Sequence, residues 1–136
     1  MTNVPTFMMN IPSSYDTAVR NNVWMEEYDD EDIIVNKPKA IREMWEVYSF
    51  LASQGFVYLL PTPIDCKLQD LVFVANNGIV LQHTPIYIGS NFKATNRIGE
   101  EVIGMRFFDS LGYKTIRSPF EFEGEAELKY LSLIHI

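Results

Sequence analysis

Four charged side chains stand beside apolar runs at positions that suit chemistry on a planar cation. Asp70 immediately precedes Leu71-Val72-Phe73-Val74-Ala75-Asn76. Arg97 and Glu100 share the segment Thr95-Asn96-Arg97-Ile98-Gly99-Glu100. Glu123 lies in Phe120-Glu121-Phe122-Glu123-Gly124-Glu125-Ala126-Glu127. Carboxylates at strand ends can line one pocket, and two of them can grip a guanidinium through paired charge-assisted hydrogen bonds. By the same geometry Arg97 can hold a carboxylate. The alternative is three unrelated roles: Asp70 opens a strand, Glu100 supports a helix start, and the Glu123 run is a solvated turn.

Other chemistry has little to work with. The sequence has no GxSxG, P-loop, GxGxxG or HExxH. Its two histidines, His83 and His135, are far apart, so a metal pair is not expected, nor is a cofactor. The one cysteine, Cys66, cannot form an internal disulfide or a cysteine-based zinc site, and it reads as a loop thiol or small packing residue. Eighteen acids against eleven bases give a net charge of −7. That argues against a protein that coats nucleic-acid phosphates and leaves cationic or zwitterionic small molecules as ligands. No run approaches the roughly 18 apolar residues of a membrane span. Met1 to Asn10 has no basic stretch ahead of an apolar one, so a cytoplasmic location is expected.

The elements that must position these side chains are those of one α/β domain over residues 1–136. Thr6 to Met9 is a short strand, and an acidic run from Glu26 to Asp32 reads as solvated loop. A helix is predicted from Lys37 or Pro38 to Ser53, capped by Asn36, with Ala40, Met44, Val47, Tyr48 and Leu51 on one face and Gly55 as its stop. Strands are predicted over 56–60, 70–76, 79–82, 85–88 and 113–117, with another from Glu127 to Ile134. Asn76-Asn77-Gly78 is predicted to turn a hairpin between 71–75 and 79–81. A second helix is predicted from about Asn96 to Leu111, stopped by Gly112. Phe50-Leu51-Ala52-Ser53-Gln54-Gly55-Phe56 resembles Phe107-Phe108-Asp109-Ser110-Leu111-Gly112-Tyr113, 57 residues later, as a modular array would show.

Four segments, in order, resemble the guanidine-modifying, or pentein, superfamily of amidinotransferases, dimethylarginine dimethylaminohydrolases and arginine deiminases. Asp70 to Asn76 resembles its D-x-V-F-x-A-N segment, and Asn22-Val23-Trp24-Met25 its early N-x-W-M. Arg97 to Glu100 resembles R-x-G-E, and Phe122-Glu123-Gly124 the F/L-E-G element. The resemblance implies a partial α/β propeller of ββαβ units around a pocket for a guanidine or amidine. It implies that Asp70, Asn76 and Arg97 bind substrate, Arg97 through the substrate's carboxylate, and that Glu123 is the acidic catalytic residue that holds and polarises the guanidine. Asn76 stands where the hydrolases place an aspartate, which is closer to the amidinotransferase-like branch. Gly124-Glu125-Ala126-Glu127 departs from the hydrolases' E-G-G-D, leaving the role of Glu127 open.

In the family a cysteine thiolate attacks the guanidine carbon and a histidine shuttles protons. Neither Cys66 nor His135 matches those positions. The resemblance therefore implies the N-terminal part of a longer domain, inactive as given, prone to self-association, with 131–136 as a non-native tail. The competing reading is a non-catalytic α/β binding or interaction module complete at this length. The coding DNA beyond Ile136 distinguishes the two.

Overall fold

A computed structural model describes residues 4–20, 23–81 and 83–127. The predicted strand over 127–134 lies almost wholly outside them. The described chain is α/β, built as two successive units. In the first, β1 (Thr6–Asn10), α1 (Lys37–Ala52) and β2 (Phe56–Leu60) form a crossover, and β1 pairs parallel with β2 from Thr6↔Phe56 to Asn10↔Leu60. In the second, β3 (Gly78–Val80), β4 (Ile86–Gly89), α2 (Glu100–Ser110) and β5 (Lys114–Arg117) make a sheet of order β3-β4-β5. There β3 runs antiparallel to β4, and β4 parallel to β5. No helix among the described residues is long and apolar enough to cross a membrane.

Local chemistry explains α1. The Asn36 side chain accepts a hydrogen bond from Lys39 N at 3.0 Å, satisfying one of the first-turn donors, and Pro38 lies in the first turn, where its missing N–H costs nothing. Of the predicted apolar face, Met44 is buried and Ala40, Tyr48 and Leu51 are half-buried, but Val47 is exposed. Gly55 is not a left-handed stop. It is glycine because β1 passes alongside: a Cβ there would lie 2.1 Å from the Pro5 carbonyl oxygen. Phe56 N–H donates to that same oxygen at 2.9 Å, which starts the β1–β2 pairing.

Three expectations are corrected. Residues 70–76 are not a strand, despite their β-branched and aromatic run. They fold as turns, with Leu71 N–H bonded to Leu68 O, Phe73 N–H to Asp70 O and Asn76 N–H to Phe73 O, ending in a 3₁₀ turn, Val74–Asn77. Burial of Leu71 and the ties of Asp70 and Asn76 described below override the local β preference. Asn76-Asn77-Gly78 therefore turns no hairpin, and the antiparallel pair is β3–β4. The second helix starts at Glu100, because Gly99 at φ +108° breaks the backbone between it and a 3₁₀ turn, Thr95–Arg97.

The 57-residue repeat is structural for its helix–strand half: α1–β2 and α2–β5 each lead a helix into a parallel strand. The first strands do not share the offset, since β1 and β4 precede their helices by unequal connections. Leu60, Leu71, Ile79, Tyr87, Phe92 and Phe108 make the core, with the Tyr87 and Phe108 rings stacked at 4.2 Å. An apolar groove of ≈ 640 Å³, lined by Met8, Tyr58, Val80, Tyr87, Phe107 and Tyr113 among others, lies between the two units.

Gly55→Ala places a methyl group on backbone rather than on a movable side chain. We expect it to lower unfolding stability by about 1–3 kcal/mol, as overpacking does, read from the midpoint of a denaturant transition.

Candidate functional site

The second unit and the turns around it assemble one charged cluster. Asp70 sits in the buried turn after Gln69. Asn76 is held by Ser90, a fully buried residue at the end of β4. The Ser90 hydroxyl donates to Asn76 O at 2.6 Å, and Ser90 N–H donates to Asn77 O at 2.9 Å. Arg97 ends the 3₁₀ turn ahead of α2, and Glu100 is the first residue of that helix. Glu123 is brought in by a bridge between Asn91 and Phe122, whose N–H groups bond each other's carbonyls at 3.0 and 3.1 Å. Gly124 then takes φ +58°, where a side chain is strained, and its missing Cβ would lie 2.3 Å from Ala75 O. The Glu123 turn thus lies directly on the Asn76 turn.

Arg97 is the centre of the cluster. Its Nε donates to Glu100 Oε1 at 3.1 Å and its Nη2 to Glu100 Oε2 at 2.9 Å, a bidentate fork. Its Nη1 donates to Glu123 Oε2 at 3.1 Å, and Asp70 Oδ2 lies 4.0 Å from Nε. The guanidinium carbon stands 4.3 Å from the centre of the Phe92 ring. Asn76 Nδ2 donates to the same Glu123 oxygen at 3.4 Å. All four predicted site residues, Asp70, Asn76, Arg97 and Glu123, therefore converge. Of the alternative of three separate roles, Asp70 opens no strand, while Glu100 does stand in the first turn of α2 and Glu123 in a turn.

Three carboxylates surround one guanidinium. Burial pushes the Glu100 carboxyl above its usual range. The Arg97 hydrogen bonds and charge oppose that shift, and the charges of Asp70 and Glu123 add to it. An arrangement with more anion than cation, half-open at Glu123, is suited to receive a second cation. Among the described residues no group of three or more His, Cys, Asp or Glu is placed to hold a metal ion.

Beside the cluster lies a cleft of ≈ 400 Å³ lined by Asp70, Gln69, Asp16 and the rings of Tyr15, Trp24, Tyr28 and Phe73, with Met25 on the same wall. Sequence reading marked Trp24 and Met25 only as part of a motif; the structure brings them to the same cleft as Asp70. It missed Tyr15, Asp16, Gln69 and Phe92, whose types carry no local signal. It named Glu100 without its grip on Arg97, although the i, i+3 spacing of 97 and 100 makes that contact natural. Cys66 is half-buried in the connection after β2 and is not a member of the cluster.

Two outcomes follow. Arg97→Met leaves Glu100 and Asp70 buried without their guanidinium. It should cost about 3–5 kcal/mol, as breaking a buried pair does, and Arg97→Lys should recover little, since an ammonium cannot form the fork. The raised carboxyl of Glu100 sets a pH dependence. Its contribution to stability is full below the unfolded glutamate value, about 4.3, and is lost as pH rises through the higher folded value. Glu100→Gln should therefore gain on the wild type as pH rises across that window, read as the difference in Tm between the two.

No protein-family model matches the sequence, and no curated protein sequence matches it. Solved structures do. Unliganded AgrE aligns with a TM-score of 0.75 and 30% identity, covering 88% of this chain and 17% of AgrE. AgrE has also been solved with L-arginine, and with ornithine and NAD⁺. The N-terminal domain of ArgZ, an arginine dihydrolase from the ornithine–ammonia cycle in cyanobacteria, aligns with a TM-score of 0.74 and 26% identity over 87% of this chain and 41% of that domain. The chain thus spans less than half of either relative. With the same order of motifs, the same fold over nearly all its length and identity up to 30%, the chain is similar to one part of these larger arginine-modifying, pentein-family enzymes.

Proposed function

We propose that the chain forms part of the pocket of an enzyme that acts on arginine-like guanidines through a cysteine–histidine mechanism. The observation that carries this reading is the cluster itself: Asp70, Glu100 and Glu123 around one guanidinium, opening beside an acidic and aromatic cleft. A substrate guanidinium finds carboxylates for its N–H edges and ring faces for its π surface. The binding of L-arginine by AgrE and the dihydrolase activity of ArgZ support the same substrate class.

In this proposal Glu123, the more open carboxylate, is the catalytic residue that holds and polarises the guanidine through its charge. Asp70 and Asn76 line its pocket. Arg97, which gives three of its N–H donors to Glu100 and Glu123, is assigned the substrate carboxylate. A thiolate attacks the guanidine carbon, an amine leaves with a proton from a histidine, and water or an acceptor amine then takes the amidino carbon from sulfur. Neither Cys66 nor His135 stands in the sequence where the family places its nucleophile and its proton shuttle, so in this proposal the 136-residue chain turns over no guanidine by itself. The two units are successive blades of an α/β propeller, the chain is one part of a longer cytoplasmic pentein domain, and exposed Phe50 and Phe56 on the first unit favour pairing with a second copy.

The test is turnover of L-arginine by the chain and by a protein extended to the length of its relatives. The chain alone should be inactive, with or without Cys66→Ala. The extended protein should be active, and Glu123→Gln should lower kcat about 10²–10³-fold, as loss of a charge that meets the transition state does. Product analysis separates water from an amine as acceptor. Activity of the chain that vanishes with Cys66→Ala, or a fully active Glu123→Gln extended protein, overturns the proposal. Sedimentation reads the self-association, and a stable monomer at all concentrations removes that part.

A further inference from the structure

Gln69 makes a contact that the chemistry above does not use. Its side chain is 5% exposed and lies next to Asp70. The carboxamide meets the backbone of Val19, 50 residues away, at two points. Val19 N–H donates to Gln69 Oε1 at 3.1 Å, and Gln69 Nε2 donates to Val19 O at 2.8 Å. This is the pattern of one strand residue pairing with another, supplied by a side chain. The hold continues along the chain. Arg20, the next residue, donates from Nη1 to Met25 O at 2.6 Å and pairs with Asp30 at 2.6 Å. The Thr17 hydroxyl donates to Ile33 O. Met25, Trp24, Tyr15 and Tyr28 of this segment are the wall of the cleft that faces Asp70.

We propose that Gln69 is a positioning residue: through Val19 and Arg20 it fixes the aromatic wall over Asp70 and so sets the affinity of the cleft for a guanidinium ligand. This rests on reading the cleft as the ligand site. The physical basis is that few strong local elements order the described residues of 15–33; the helical segment among them is a five-residue 3₁₀ turn, Val23–Glu27. A segment of that kind holds one arrangement only where side chains tie its backbone. A clamp that satisfies a donor and an acceptor at once contributes two net hydrogen bonds, and its loss opens the segment roughly ten- to a hundredfold more often.

The experiment uses the 136-residue chain with Gln69→Glu and Gln69→Met, hydrogen exchange at the Val19 amide, and calorimetric titration with L-arginine. A protonated carboxyl is the shape and hydrogen-bonding equal of a carboxamide, whereas a carboxylate has no donor for Val19 O. Asp16 and Asp70, which line the same cleft, raise the pKa of the introduced carboxyl, and Arg20 beside Val19 opposes them. Relative to wild type at the same pH, Gln69→Glu should exchange Val19 about tenfold or more faster at about pH 7.5 and at the wild-type rate at about pH 4. Gln69→Met should be fast at both. Affinity for L-arginine should fall by a similar factor wherever Val19 is released. Wild-type exchange in both variants overturns the clamp, and release of Val19 with unchanged affinity overturns its link to binding. If Val19 behaves as stated but wild type does not bind L-arginine, the guanidine reading of the cleft fails and the affinity role falls with it, while the clamp stands. Should Gln69→Glu fail to fold, the Gln69→Met chain and protection of the wild-type Gln69 Nε2 protons decide the clamp.

Discussion

A guanidinium placed almost out of contact with water has to be matched by carboxylates, and Arg97 imposes that requirement on this chain. Glu100 meets it through the fork, three residues along on the first turn of α2. Glu123 and Asp70 come from segments that have no sequence neighbour in common with Arg97. The need to neutralise one buried cation thus draws together the turn before α2, the 68–77 turns and the turn at 122–127. Phe92, under the guanidinium face, closes the side that the carboxylates leave.

The backbone around the cluster is shaped to suit it. Ser90 uses its hydroxyl and its N–H on the carbonyls of Asn76 and Asn77, so the 3₁₀ turn that presents Asn76 is anchored to the end of β4. Gly124 allows the Glu123 turn to rest on Ala75 and Asn76 with no side chain between. Both devices explain why a stretch as rich in β-formers as Leu71 to Ala75 is not a strand: its backbone groups are engaged in turns that carry polar side chains inward. Carboxylates outnumber the cation, and the Glu100 carboxyl is raised first by its burial and then by the charges of Asp70 and Glu123, against the pull of Arg97.

The pentein relatives place this arrangement in context. Their match covers nearly all of this chain and a minor part of each of theirs, and it includes both units. The β–α–β order is repeated, yet the long connection between β1 and α1 is used differently from the short one between β4 and α2. The first supplies the aromatic wall of the cleft, the second supplies Arg97.

The two helices, β1, β2, β4 and β5 could be read from the sequence because their signals are local. Asn36 and Pro38 start α1, apolar residues recur at helical spacing, and 56–60 is a short apolar run between a glycine and a proline. The candidate residues were legible too, through a resemblance spread over four short segments. What the sequence could not decide was how they meet. The false strand at 70–76 and the false hairpin at Asn76-Asn77-Gly78 had the right residue types, but their conformation depends on Ser90 and Gly124, which are distant in sequence. The bond between Asn76 and Glu123 spans 47 residues, and that between Gln69 and Val19 spans 50. Periodicity reports which residues share a face within one element. Distances between elements follow from packing and from the pairing of buried charge, and those exist only once the whole chain has folded.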